Sequence, residues 1–114
     1  MKLKLKSFRC AFEGIVFMLR TQIHARWHLL ATIIVIASGF AFHVGRGEWL
    51  ALILAMALVW TAEAINTSIE SACDAITKDR HPLIGHAKEV AAGAVLIASI
   101  FAVIVAALVF VPKL

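Results

Sequence analysis

Three long apolar runs separated by short polar stretches decide what this chain can become. Leu29 to Phe42 carries no charged residue, Leu50 to Trp60 is continuously apolar, and Val90 to Val111 is again free of charge. A helix needs about 20 apolar residues to cross a hydrocarbon core about 30 Å thick. The third run reaches that length by itself, and the other two reach it once their flanks extend them. A water-soluble fold of 114 residues, 62% hydrophobic and 16% charged, has too little interior to hide its apolar side chains, because small domains leave a large share of their surface in water. A mean hydropathy of +0.94 points to lipid as the solvent. The expected fold is therefore all-α and integral to the membrane, one unit over residues 1–114.

Ahead of these runs, Phe8, Phe12, Ile15, Val16, Leu19 and Ile23 recur at three- and four-residue spacing, with Lys6, Arg9, Glu13 and Arg20 off that stripe. This spacing predicts an amphipathic surface helix over about 6–24. Three transmembrane helices are expected over about 27–44, 49–77 and 83–111. Gly45-Arg46-Gly47-Glu48 makes the first turn. Pro82 disfavours helical geometry at His81 and so ends the second helix beforehand.

The net charge of +4 would raise nucleic-acid binding in a soluble protein. Here the basic residues flank the apolar runs, and no nucleic-acid partner is expected. Six Lys or Arg precede the first span, and Lys78, Arg80 and Lys88 follow the second, against Arg46 in the first loop and Lys113 in the tail. The positive-inside rule then puts the N terminus and second loop in the cytoplasm and the C terminus outside. The basic start is not expected to be a signal peptide, since Glu13 and Arg20 interrupt any apolar core. Cys10 and Cys73 match no metal or redox spacing, and free thiols are expected.

The chemistry lies in Glu63, Asn66, Glu70 and Asp74, spaced 3, 4 and 4 residues apart. At 100° per residue they share one face of the second span. From Trp49 at one interface, Glu63 lies about 21 Å along the helix at 1.5 Å per residue, still within the hydrocarbon. A carboxylate there costs on the order of 3 kcal/mol and marks a functional site or an interhelical bond. Three carboxylates in a row repel unless cations join them, which a bound Mg²⁺ with its nucleotide would do. Lys88, followed by Glu89, is placed to meet phosphate oxygens or simply to flank the third span. No Gly-rich phosphate loop is present in the sequence. The spacing alone supports an intramembrane acidic site, with a small proton-coupled transporter using Glu63 as the competing reading and a structural subunit as a third.

The run Glu63-Ala-Ile-Asn66-Thr-Ser-Ile-Glu70, then Asp74, His81-Pro82-Leu83 and Ala87-Lys88-Glu89-Val90-Ala91-Ala92-Gly93-Ala94-Val95-Leu96, resembles the prokaryotic diacylglycerol kinase family, which includes the undecaprenol kinases. Ser7-Phe8-Arg9, Gly14 and Ala25-Arg26-Trp27-His28 extend the likeness over almost the whole chain. The resemblance implies a homotrimer in the bacterial inner membrane that moves the γ-phosphate of ATP to the primary hydroxyl of a lipid, diacylglycerol or undecaprenol, with Mg²⁺. It implies Glu63 as the catalytic carboxylate, acting as general base on that hydroxyl, and Glu70 as metal and nucleotide ligand. It implies Lys88 and Glu89 as nucleotide contacts, Asp79 and His81 in the loop over the nucleotide, and Asn66 and Asp74 as polar support. Two positions depart from the family pattern. Gln22 stands where a second metal-binding glutamate is usual, and Glu89 where an aspartate is usual. The His81-Pro82-Leu83 loop and short N-terminal arm look more like the undecaprenol kinase branch.

Overall fold

The computed structural model describes residues 2–114 and is built of four long helices. Helix α1 spans Lys2–Thr21, α2 Ile23–Ala41, α3 Arg46–Ile76 and α4 Pro82–Phe110, followed by a short 3₁₀ turn, Val111–Lys113. Among the described residues there is no strand. Helices α2, α3 and α4 are each long and apolar enough to cross a membrane. Their outward faces carry large, mostly exposed apolar side chains, such as Leu108 and Val103, as a lipid solvent allows.

The helix ends follow local chemistry, and each differs by a few residues from the expected limits. α1 starts at Lys2 rather than near residue 6 and stops at Thr21, because Gln22 turns extended (φ −109°, ψ 113°). The apolar period continues through Ile23 into α2, which is why periodicity alone missed that break. α2 accordingly begins at Ile23 instead of Trp27 and stops at Ala41 rather than Val44, where His43 adopts a left-handed φ of 51°. α3 begins at Arg46, three residues before Trp49, since the Glu48 carboxylate reaches back to accept the Gly45 N–H at 3.0 Å. This contact satisfies one of the free donors at a helix start. At α4, His81 is extended as its following proline requires. Its Nδ1 accepts the Leu83 N–H at 3.2 Å, and Pro82 takes the first helical position.

The 31 residues of α3 make a rod of roughly 46 Å at 1.5 Å per residue, longer than the hydrocarbon core, so its last turns leave the apolar layer. α4 packs back along it as a hairpin, and α2 leans on α3 from another side. The core lies at the end of α3 far from the acidic stripe. There Val44, Leu52 and Val109 are buried among Trp49, Met56, Val105 and Phe110. The Trp49 indole lies 5.0 Å from the Phe40 ring, centre to centre. It also lies so close over Gly39 that a Cβ there would collide with it. Lys113 closes this end on Glu48 at 3.2 Å. The other end of α3 is left to polar contacts.

Candidate active site

The polar stripe on α3 is graded in depth. Glu63 is 1% exposed and Asn66 7%, Glu70 is half-buried, and Asp74 is open to solvent. The gradient follows from the helix itself, which carries one face from the packed interior past the end of its neighbours. Each acidic group then meets a partner from a different part of the chain. α2 brings His28 Nε2 to 3.5 Å from Glu63 Oε2. The break between α1 and α2 brings in Gln22, whose Nε2 donates to Glu70 Oε2 at 3.0 Å. α4 brings in Lys88, whose Nζ donates to Asp74 Oδ1 at 2.6 Å.

Two buried acceptors of the stripe are left over. Glu63 Oε1 and Asn66 Oδ1 have no hydrogen-bond partner. They lie one turn apart on the same face, and burying such atoms unpaired costs about 1–3 kcal/mol each. Atoms in that position are suited to meet a substrate hydroxyl or another polar ligand group. Thr67 Oγ1 donates to the Glu63 carbonyl at 2.9 Å and so uses up its own hydrogen there. A groove of about 480 Å³ between α1 and α3 runs beside the stripe, lined by Gly14, Phe17, Met18, Ala64, Thr67 and Ser71 among others.

The structure thus places Glu63, Asn66, Glu70 and Asp74 on one line and adds Gln22 and Lys88 to it. The remaining candidates sit apart. Glu89 is exposed and lies 3.6 Å from His86 Nδ1, one turn back on its own helix. Asp79 and His81 are exposed in the α3–α4 loop, where the Asp79 N–H donates to Thr77 Oγ1 and His81 caps α4. Among the described residues no three His, Cys, Asp or Glu converge as a metal cage. Mg²⁺ ordinarily uses one or two carboxylates with substrate phosphates instead. Sequence reasoning gave His28 no role in the site and met it only in the run Ala25-Arg26-Trp27-His28. The signal was its spacing to Thr32, four residues along an otherwise apolar run, matched across the helix pair by Trp60 and Glu63.

Three apolar spans, with a carboxylate buried against α2 and a polar trail to one end of α3, describe a membrane protein with an acidic site inside its helix packing. The chain matches the prokaryotic diacylglycerol kinase family over residues 9–110 and belongs to that family. It is 37% identical over 109 residues to the undecaprenol kinase of Bacillus subtilis, which covers 96% of this chain and 89% of that one. It is 37% identical over 111 residues to a diacylglycerol kinase of Synechocystis, covering 96% of this chain and 63% of that longer protein. A diacylglycerol kinase of Pseudomonas aeruginosa is 30% identical over 94 residues, 82% of this chain and 71% of the other. The protein is a multi-pass membrane lipid kinase, a phosphotransferase with an alcohol acceptor.

Proposed function

We propose that the protein transfers the γ-phosphate of ATP to the terminal hydroxyl of undecaprenol at the cytoplasmic face of the bacterial inner membrane. The observation that carries this reading is the unpartnered Oε1 of buried Glu63 at the head of a stripe that ends in solvent. A lipid alcohol keeps its chain in the bilayer and its hydroxyl near the headgroups, whereas ATP arrives from water. A site graded from Glu63 to Asp74 serves both. The choice of undecaprenol over diacylglycerol rests on the His81-Pro82-Leu83 loop and on the likeness to an undecaprenol kinase over 96% of this chain and 89% of that one. Proton-coupled transport needs polar groups on both sides of its carboxylate, and α3 from Leu50 to Val59 offers none.

In this reading Glu63 Oε1 accepts the hydroxyl proton as the lipid oxygen bonds to the γ-phosphorus and the bond to the bridging oxygen of ADP breaks. Asn66 stands one turn along as polar support, its free Oδ1 open to a second donor, since the hydroxyl hydrogen goes to Glu63. Lys88 exchanges Asp74 for phosphate oxygens, with Glu89, Asp79 and His81 framing the nucleotide. Glu70 and Gln22 are hard oxygen donors already side by side, as Mg²⁺ prefers, once the Gln22 amide turns its oxygen inward. When bound, the ion would neutralise charge on the phosphates. Phosphoryl transfer otherwise asks mainly for positioning.

The same reading lays α1 in the membrane interface and joins three copies of the chain. A wide apolar groove between α3 and α4, lined on α4 by Ala87, Ala91, Ala94, Ala98 and Ala102, suits close approach of a further helix.

The test is a side-by-side rate measurement in vesicles with Mg-ATP and either undecaprenol or diacylglycerol. Faster phosphorylation of undecaprenol is expected, a preference for diacylglycerol reverses the substrate choice, and turnover of neither removes the reading. The groove between α1 and α3 supplies a second check. No atom lies within 4 Å of a Cβ placed on Gly14, so leucine fits there and fills the groove beside the stripe. Gly14→Leu should raise the lipid KM about tenfold, the scale set by filling an apolar pocket, while the KM for ATP stays unchanged.

A further inference from the structure

Glu63 sits in a closed ring of contacts that joins α2 to α3. The Trp60 indole N–H on α3 donates to Thr32 Oγ1 on α2 at 2.9 Å. Thr32 Oγ1 in turn donates to the His28 carbonyl one turn back, at 2.7 Å. The His28 ring then returns to α3, its Nε2 3.5 Å from Glu63 Oε2, and Glu63 lies three residues after Trp60. All four side chains are buried or half-buried. The tie is selective between the two carboxylate oxygens. Oε2 faces the histidine, and Oε1 has nothing.

From this we infer that His28 is a positioning residue for Glu63. The ring donates from Nε2 to Oε2, fixes the carboxylate rotamer and leaves Oε1 as the oxygen presented to the substrate. A carboxylate on one helix with no such tie samples several rotamers, and a misplacement of about 1 Å is enough to cost a large factor in rate. The separation of 3.5 Å is long for a hydrogen bond, as is common before substrate tightens a catalytic site. Trp60 and Thr32 act one step further away. They hold α2 at the height where His28 meets Glu63, because an indole N–H buried beside lipid seeks an acceptor.

The inference rests on Glu63 being the base, and the variants separate the two. The assay is undecaprenol phosphorylation in vesicles with Mg-ATP, with thermal unfolding in detergent as a check on folding. His28→Leu should lower kcat about 100-fold with both KM values within about 3-fold of wild type, the pattern of an interaction made in the transition state. His28→Gln, which keeps a donor, should recover kcat to within about 5-fold of wild type. His28→Leu added to Glu63→Gln should be no slower than Glu63→Gln alone, since residues that act as a unit are non-additive. Thr32→Val, which cuts the link to Trp60 and leaves the imidazole, should lower kcat by about 3- to 10-fold, and it decides the matter if His28→Leu does not fold. A wild-type kcat in His28→Leu overturns the inference, as does a wild-type kcat in Thr32→Val where His28→Leu does not fold. So does His28→Gln as slow as His28→Leu, or a double variant slowed by the full His28→Leu factor. Full activity in Glu63→Gln overturns the base assignment instead.

Discussion

Glu63→Gln should lower the rate of lipid phosphorylation by about 10²- to 10⁴-fold, the range that a positioned general base contributes, with the protein folded and its KM for ATP unchanged. Glutamine has nearly the same shape, so the packing around a residue only 1% exposed is preserved. Its amide oxygen can still face His28, and no buried charge is left without a partner. What is lost is the ability of the free oxygen to take a proton. Because Glu70, Asp74 and Lys88 are untouched, nucleotide binding should persist, and the loss should fall on kcat. Initial rates with undecaprenol over a range of ATP concentrations make the measurement. A variant that retains more than about a tenth of wild-type kcat places the proton acceptor elsewhere.

That Glu63 could be singled out beforehand says where sequence is informative in a membrane protein. A charge within an apolar run is costly, so Glu63, Asn66, Glu70 and Asp74 stand out against their background, and their helical period puts them on one face. The three spans were legible for the same reason. The break at Gln22 was not, because the apolar period of α1 runs unbroken through Ile23 and only backbone geometry separates the two helices. His28 escaped notice because histidine beside tryptophan is ordinary at a membrane interface, and its value depends on which helix faces it. The pairings Gln22–Glu70 and Lys88–Asp74 also join residues far apart in sequence. A period along one helix shows which groups share a face and says nothing of what the neighbouring elements bring to it. The apolar core, with Gly39 beneath Trp49, is likewise a matter of how helices meet.

The Gln22–Glu70 contact leads to the second large effect. Glu70→Gln removes the one negative charge of that donor pair and should lower kcat/KM for Mg-ATP by about 10²- to 10³-fold, since metal placement is worth several kcal/mol in the transition state. Gln22→Glu works in the opposite direction. Two carboxylates replace a carboxylate that accepts an amide hydrogen bond, so without a divalent ion they repel in a half-buried place, and the variant should unfold at a lower temperature than wild type. With Mg²⁺ added the repulsion is relieved, and ligand linkage raises the unfolding temperature as the ion saturates the site. Thermal unfolding of wild type, Gln22→Glu and Glu70→Gln over a Mg²⁺ titration, in detergent and without nucleotide, reads this directly. The largest rise is expected in Gln22→Glu, a smaller one in wild type and the least in Glu70→Gln. The Mg²⁺ concentration for half-maximal activity should fall in Gln22→Glu. Equal Mg²⁺ responses in all three proteins would place the ion away from both residues and leave the Gln22–Glu70 bond as a tie between the start of α2 and the end of α3.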